Sequence, residues 1–189
     1  MPRTHLAWLL AAAFPMPSPA AAQSDAEVQQ IFAHMAKLKP MIGHWRAAIE
    51  YHNRDGSVEK RGGDYNILPV LEGTYLQSDV AIYRLNDPAK RHGFITMTTY
   101  NPQSRKFDGT FFYTKWALRV TEAGTFDDRK QELAVDAFVP KEDGVHDETV
   151  HSLTWFNRNG TIEYWHWSRY DNEKAPLMNF HAVLTRVKA

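Results

Sequence analysis

Beyond residue 42 this chain is never far from a turn signal, and between those signals its side chains alternate between two faces. Alternation with a period of two is the mark of a strand with unlike faces. Ten segments carry it: 43–52, 57–71, 74–83, 93–100, 107–116, 118–121, 131–139, 148–157, 161–170 and 177–186. Short strands at even spacing, joined by local turns, predict an all-β antiparallel barrel or sandwich. A meander this long removes its unpaired edges most simply by closing into an up-and-down barrel. Several strands carry apolar groups on both faces, as a barrel with a partly apolar lumen requires.

Only one helix is expected. Ser24 and Glu27 form a capping box, and Val28, Ile31, Phe32, Met35 and Leu38 follow at helical spacing, so the helix spans Asp25 to about Lys39 and Pro40 ends it. Ahead of it stand a short basic start, an apolar run over 6–14 and the small residues Ala20, Ala21 and Ala22. That is the pattern of a cleaved signal peptide, and the run is too short for a membrane-spanning anchor. The division predicted is a leader over 1–22, a helical segment over 23–41 and a barrel over 42–189. Export to a periplasm or secretion follows as the expected location.

The chain has no cysteine, which excludes disulfides, thiol nucleophiles and Cys-based metal sites. Its formal net charge is zero, so nothing points to nucleic acid or an anionic membrane surface. A Gly-x-Ser-x-Gly elbow, a phosphate loop, a His-Glu-x-x-His helix and a dinucleotide fingerprint are all missing.

The stretch from Glu148 to Arg186 suggests where a site lies. Placing Asn159 and Gly160 at the centre of a two-residue type I′ turn sets Trp155 opposite Tyr164, Leu153 opposite His166 and His151 opposite Ser168. A six-residue loop over Asp171–Pro176 would set Tyr170 opposite Leu177 and His166 opposite His181. One face then gathers His151, Leu153, Trp155, Tyr164, His166, Ser168, Tyr170, Asn179 and His181, with Tyr51 on the apolar face of the first strand. Rings mixed with imidazoles suit a pocket wall that takes a small apolar or aromatic molecule.

Three roles for the histidines follow. They stand as separate hydrogen-bonded side chains on a wet wall, as three imidazoles around a zinc with an open position, or as proton carriers with Tyr164 or Tyr170 donating to a developing oxyanion. The last would make the protein a lyase, isomerase or hydrolase working in the same cavity. Trp165 and Trp167 share a face with Glu163 on the barrel exterior, where the N-terminal helix or a second subunit of a homodimer is expected to cover them.

Gly43-His44-Trp45 at the start of the first strand resembles the calycin superfamily, the lipocalins and their relatives. Pro69–Leu76, Thr99–Pro102 followed by Phe107–Gly109, and the closing Leu184-Thr185-Arg186 resemble an uncharacterised bacterial family of lipocalin-like domains, related to nitrobindins, over about Leu38 to Lys188. The resemblance implies that Trp45 plugs the barrel base with Arg186 near it. Nitrobindins hold haem through a histidine on the last strand. An approximate alignment sets Asn179 at that position and His181 two residues on, a departure from the haem-binding pattern.

Overall fold

Each expected segment contains a strand among the described residues, positions 114–116 and 118 lying outside them, and the ten strands close. The structure is a computed structural model that describes residues 24–113, 119–140 and 145–188. The expected leader lies outside the described residues. The strands are β1 (Gly43–His52), β2 (Val58–Val70), β3 (Tyr75–Arg84), β4 (Asp87–Asn101), β5 (Lys106–Tyr113), β6 (Arg119–Asp127), β7 (Glu132–Val139), β8 (Glu148–Phe156), β9 (Ile162–Tyr170) and β10 (Leu177–Arg186). Each pairs antiparallel with its neighbour in sequence, and β1 pairs with β10 to shut the barrel. Closure leaves no strand edge unpaired.

Two of the strands run further than their sequence pattern indicates. β4 starts at Asp87 instead of Gly93, and β6 continues through Gly124 to Asp127. Gly124 is no break: a Cβ there would lie 2.3 Å from the Ala134 carbonyl oxygen, so the residue is what lets β7 approach. Gly62 and Gly63, a pair that often marks a bulge, form none here, because both ladders run through them in register. These glycines make room for rings instead, Gly62 beneath Tyr83 and Gly63 against Ile49 and Tyr65.

The helix α1 (Asp25–Met35) begins at the capping box, with the Glu27 side chain accepting from the Ser24 backbone N–H at 2.8 Å. It gives way to a 3₁₀ segment over Ala36–Met41, and Pro40 stands inside that segment. Ile31, Met35 and Leu38 enter the barrel's base, and His34 stacks on Tyr100 at 3.7 Å. The helix therefore plugs an end of the barrel and does not cover Trp165 and Trp167. Trp45 fills the same base: Arg186 stacks 4.1 Å over its ring, and the Trp45 indole donates to the Met41 carbonyl at 2.7 Å. The Arg186 guanidinium also donates to the carbonyls of Ile42 and Pro40. No described helix is long and apolar enough to cross a membrane.

Packing is uneven along the barrel axis. At the base Leu38, Trp45, Ile67, Phe107, Ile162 and Leu184 are buried almost completely. Higher up, Tyr51, Tyr65, Phe94, Phe111, Tyr164 and His166 also point inward, yet each keeps accessible surface. Inward rings with surface to spare line open space, since a filled core would leave them none.

Candidate functional site

The register of β8, β9 and β10 decides which side chains line that space. The β8–β9 connection is a three-residue loop, with Gly160 alone at positive φ (82°) and Asn157 bonded to Thr161. A type I turn closed by a left-handed glycine holds one residue more than a type I′ turn. Trp155 therefore lies opposite Glu163, Ser152 opposite His166 and His151 opposite Trp167. The β9–β10 turn sets Leu177 opposite Ser168, two residues from the expected pairing, and a bulge between Met178 and Phe180 then moves the register by one, so Phe180 pairs with His166 and His181 with Trp165. β9 keeps its expected face, β8 is inverted throughout, and β10 is inverted beyond its bulge.

Tyr164, His166, Ser168 and Tyr170 accordingly face the lumen, with Tyr51 from β1. His151, Leu153, Trp155 and His181 lie on the outside, correcting their expected placement. His151 bonds there to Asp136 at 2.7 Å, and His181 stacks on Trp165 at 4.0 Å. The three imidazoles do not converge, and among the described residues no cluster of three His, Asp or Glu side chains could hold a metal ion. Asn179 reaches the lumen by another route. A bulge between Met178 and Phe180 lets its side-chain amide donate to the Ser168 hydroxyl at 2.9 Å.

Inside the barrel the rings form a continuous wall. Phe180 meets Tyr51 edge-on at 5.0 Å, Tyr164 at 5.5 Å and His166 at 6.3 Å, while Phe94 stacks on Phe111 at 4.7 Å. The Tyr164 hydroxyl donates to the Ser152 hydroxyl at 3.0 Å. Nε2 of His166 and Oδ1 of Asn179 are buried without partners. Burial, helped by repulsion from His151, pushes the His166 imidazole down to about 4, so it is neutral near pH 7.

Two charged side chains complete the wall, and neither stands out in the sequence. Glu122 of β6 lies across Gly109, where a Cβ would come within 2.3 Å of its carboxyl oxygen. Burial alone pushes that carboxyl above the usual carboxylate range, and the group acts electrostatically on Tyr164. Arg61 of β2 points inward opposite Ile49, stacks 4.2 Å over Tyr51 and pairs with Glu59 at 2.6 Å. The signal for both was parity. Glu59 and Arg61 continue the face of Gly63, Tyr65 and Ile67, and Glu122 continues that of Val120, Gly124 and Phe126.

At the end opposite the helix, Arg54 closes the β1–β2 turn onto the β9–β10 turn. It donates to Glu173 at 2.8 Å and lies 3.6 Å over the Tyr170 ring. A hollow of about 580 Å³ beside Arg46 and Ile95 has its carboxylates Asp64 and Asp79 already engaged, by Arg91 and Gln77. The lumen, with unmet polar atoms and free ring surface, is the better candidate site.

The family described as "Protein of unknown function (DUF1579)" matches residues 32–182. No curated protein matches the chain. Among solved structures it is similar to Rv2717c from M. tuberculosis, with a TM-score of 0.64 and 12% identity over 82% of this chain and 97% of that one. It is also similar to the S-type phycobiliprotein lyase CPES from Guillardia theta, with a TM-score of 0.59 and 12% identity over 86% of this chain and 94% of that one. At such identity the likeness speaks for the fold alone.

Proposed function

The chain belongs to the DUF1579 family, and from that premise we propose that it is an exported, lipocalin-like protein that takes a small apolar or aromatic molecule into the upper lumen of its barrel. One observation carries this reading: above a filled base, inward-facing rings keep accessible surface around the buried, unpartnered Nε2 of His166. A wall of rings with a few unmet polar atoms has the make-up of a small-molecule site. A phycobiliprotein lyase stands among the structural neighbours, and that is compatible with small-molecule binding in this barrel. Export is supported by the basic start, apolar run and alanines of residues 1–22. Kinship to nitrobindins belongs to the reading as a likeness of fold. With Asn179 at the haem-ligand position, it brings no haem with it.

Native mass spectrometry of the protein recovered from its own host tests the proposal. A mass excess released on denaturation is expected. An unadorned mass, together with failure to take up the neutral fluorophore N-phenyl-1-naphthylamine, would overturn it. Replacing His166 by Ala should lower retention while leaving the fold intact.

A second reading, an acid–base enzyme in the same cavity, is favoured by Glu122 and Tyr164. Burial raises the Glu122 carboxyl toward the range of a proton carrier, and the Tyr164 phenol within its field can donate to a developing oxyanion. In that case Glu122→Gln would abolish conversion of the retained molecule without preventing its retention. Under either reading, a second copy of the chain is the proposed cover for the outer stripe where Trp165 stacks on Trp167 and His181. Analytical ultracentrifugation would reveal that dimer.

A further inference from the structure

The lumen wall carries a cation that its own carboxylate does not fully occupy. Arg61 donates through Nη2 to Glu59 at 2.6 Å, and Arg84 takes the other oxygen of the same carboxylate at 2.9 Å. Two guanidiniums thus share one carboxylate, which leaves one positive charge over. The Arg84 side chain is 65% exposed to solvent, whereas the Arg61 side chain is only 16% exposed. Its Nε is buried and has no hydrogen-bond partner. A buried guanidinium donor left unmet costs free energy, and an anionic acceptor would relieve that cost through a charge-assisted bond.

The surroundings are arranged for such an acceptor. The phenols of Tyr51 and Tyr113 both lie within electrostatic range of Arg61 and of each other. Burial, against the opposing pull of Arg61, pushes the Tyr51 hydroxyl up to about 12, so it keeps its proton as a donor. From the Tyr51 ring the wall runs through Phe180 to Tyr164 and His166. One end of this strip is cationic and the rest is apolar.

We propose that Arg61, with the hydroxyls of Tyr51 and Tyr113, is the anion-receiving end of the lumen, and that the ligand is an acid whose anionic group lies against Arg61 while its aromatic or apolar body lies along Phe180 and Tyr164. This rests on the lumen being a binding site and goes further by giving the ligand a charge and an orientation.

A matched pair of fluorophores separates the two claims. N-phenyl-1-naphthylamine is neutral, and 1-anilinonaphthalene-8-sulfonate has the same rings with an added sulfonate. Arg61→Gln in the full chain should weaken the sulfonate by about tenfold, the usual scale for losing a charged hydrogen bond, and leave the neutral probe within about twofold. Glu59→Gln, which removes the competing carboxylate, should tighten the sulfonate. A structural ion pair alone would not produce that gain. Circular dichroism of both variants guards against misfolding, and Arg61→Lys, which keeps the charge, should restore part of the sulfonate affinity. If the neutral probe binds but neither substitution changes the sulfonate selectively, the anion site is overturned and the lumen reading stands. If neither probe binds, both are overturned.

Discussion

His166 is inward-facing, neutral and short of a hydrogen-bond partner, and each property follows from its place on β9. Depression of its pKa from an ordinary 6.5 to about 4 has a thermodynamic consequence. Above pH 6.5 the imidazole is neutral in both folded and unfolded chains. Between pH 6.5 and 4 the unfolded chain binds a proton that the folded chain refuses, so stability falls as pH falls, and below about 4 this contribution stays flat. The linkage amounts to about 3 kcal/mol across the window. Urea unfolding of the wild type and His166→Gln should therefore show a gap that moves in the variant's favour as pH drops from 7 to 4. A gap independent of pH would show that the imidazole is not shielded as described. None of this was legible in the sequence beyond the residue's parity on its strand. His151 and His181 looked equivalent to His166 in residue type and spacing; the β8–β9 turn sets the first apart and the bulge in β10 the second.

At the scale of elements, strands announce themselves more plainly than their registers do. Alternation along β8, β9 and β10 makes the three strands readable, because the pleat dictates which residues share a face within a strand. Which faces coincide between strands depends on the connecting turn, where one residue inverts everything beyond it. Asn159 and Gly160 are compatible with both a type I′ turn and a type I turn with a left-handed glycine, so the sequence there does not decide. The bulge at Asn179 is equally silent, since nothing in its side chain sets it apart from its neighbours. Glycines carry a similar ambiguity. Gly124 resembles a strand end, yet it is the point where the Ala134 carbonyl comes closest. Gly124→Ala must push backbone against backbone and should cost about 1–3 kcal/mol, read as a lower urea midpoint at unchanged slope. Gly160→Ala sets a side chain at φ 82° with nothing nearby to clash, and should cost about 1 kcal/mol. Equal losses for the two would mean that close approach is not what selects glycine at position 124.

Across the whole molecule, stability and binding occupy different levels of the same barrel. The helix and the strand ends around Trp45 make a filled base, where Leu38 is 1% exposed among Ile31, Met35 and their neighbours. Above it, the inward-facing Phe94 stacks on Phe111 and keeps accessible surface. Truncating a side chain in a filled region removes transfer free energy and leaves a cavity that cannot collapse, whereas trimming one that borders open space loses only part of its contacts. Leu38→Ala should thus destabilise the protein by about 2–5 kcal/mol, while the molecules that remain folded bind N-phenyl-1-naphthylamine as the wild type does. Phe94→Leu should cost less than about 1.5 kcal/mol and change affinity for the same probe several-fold, because the lost ring surface faced the ligand and not the core. Paired measurements of the urea midpoint and probe affinity on both variants decide the matter. If Leu38→Ala alters binding as much as Phe94→Leu, base and lumen are one coupled unit and the division of labour fails. If Phe94→Leu matches the stability loss of Leu38→Ala and leaves binding alone, the upper lumen is filled core and the ligand must bind elsewhere.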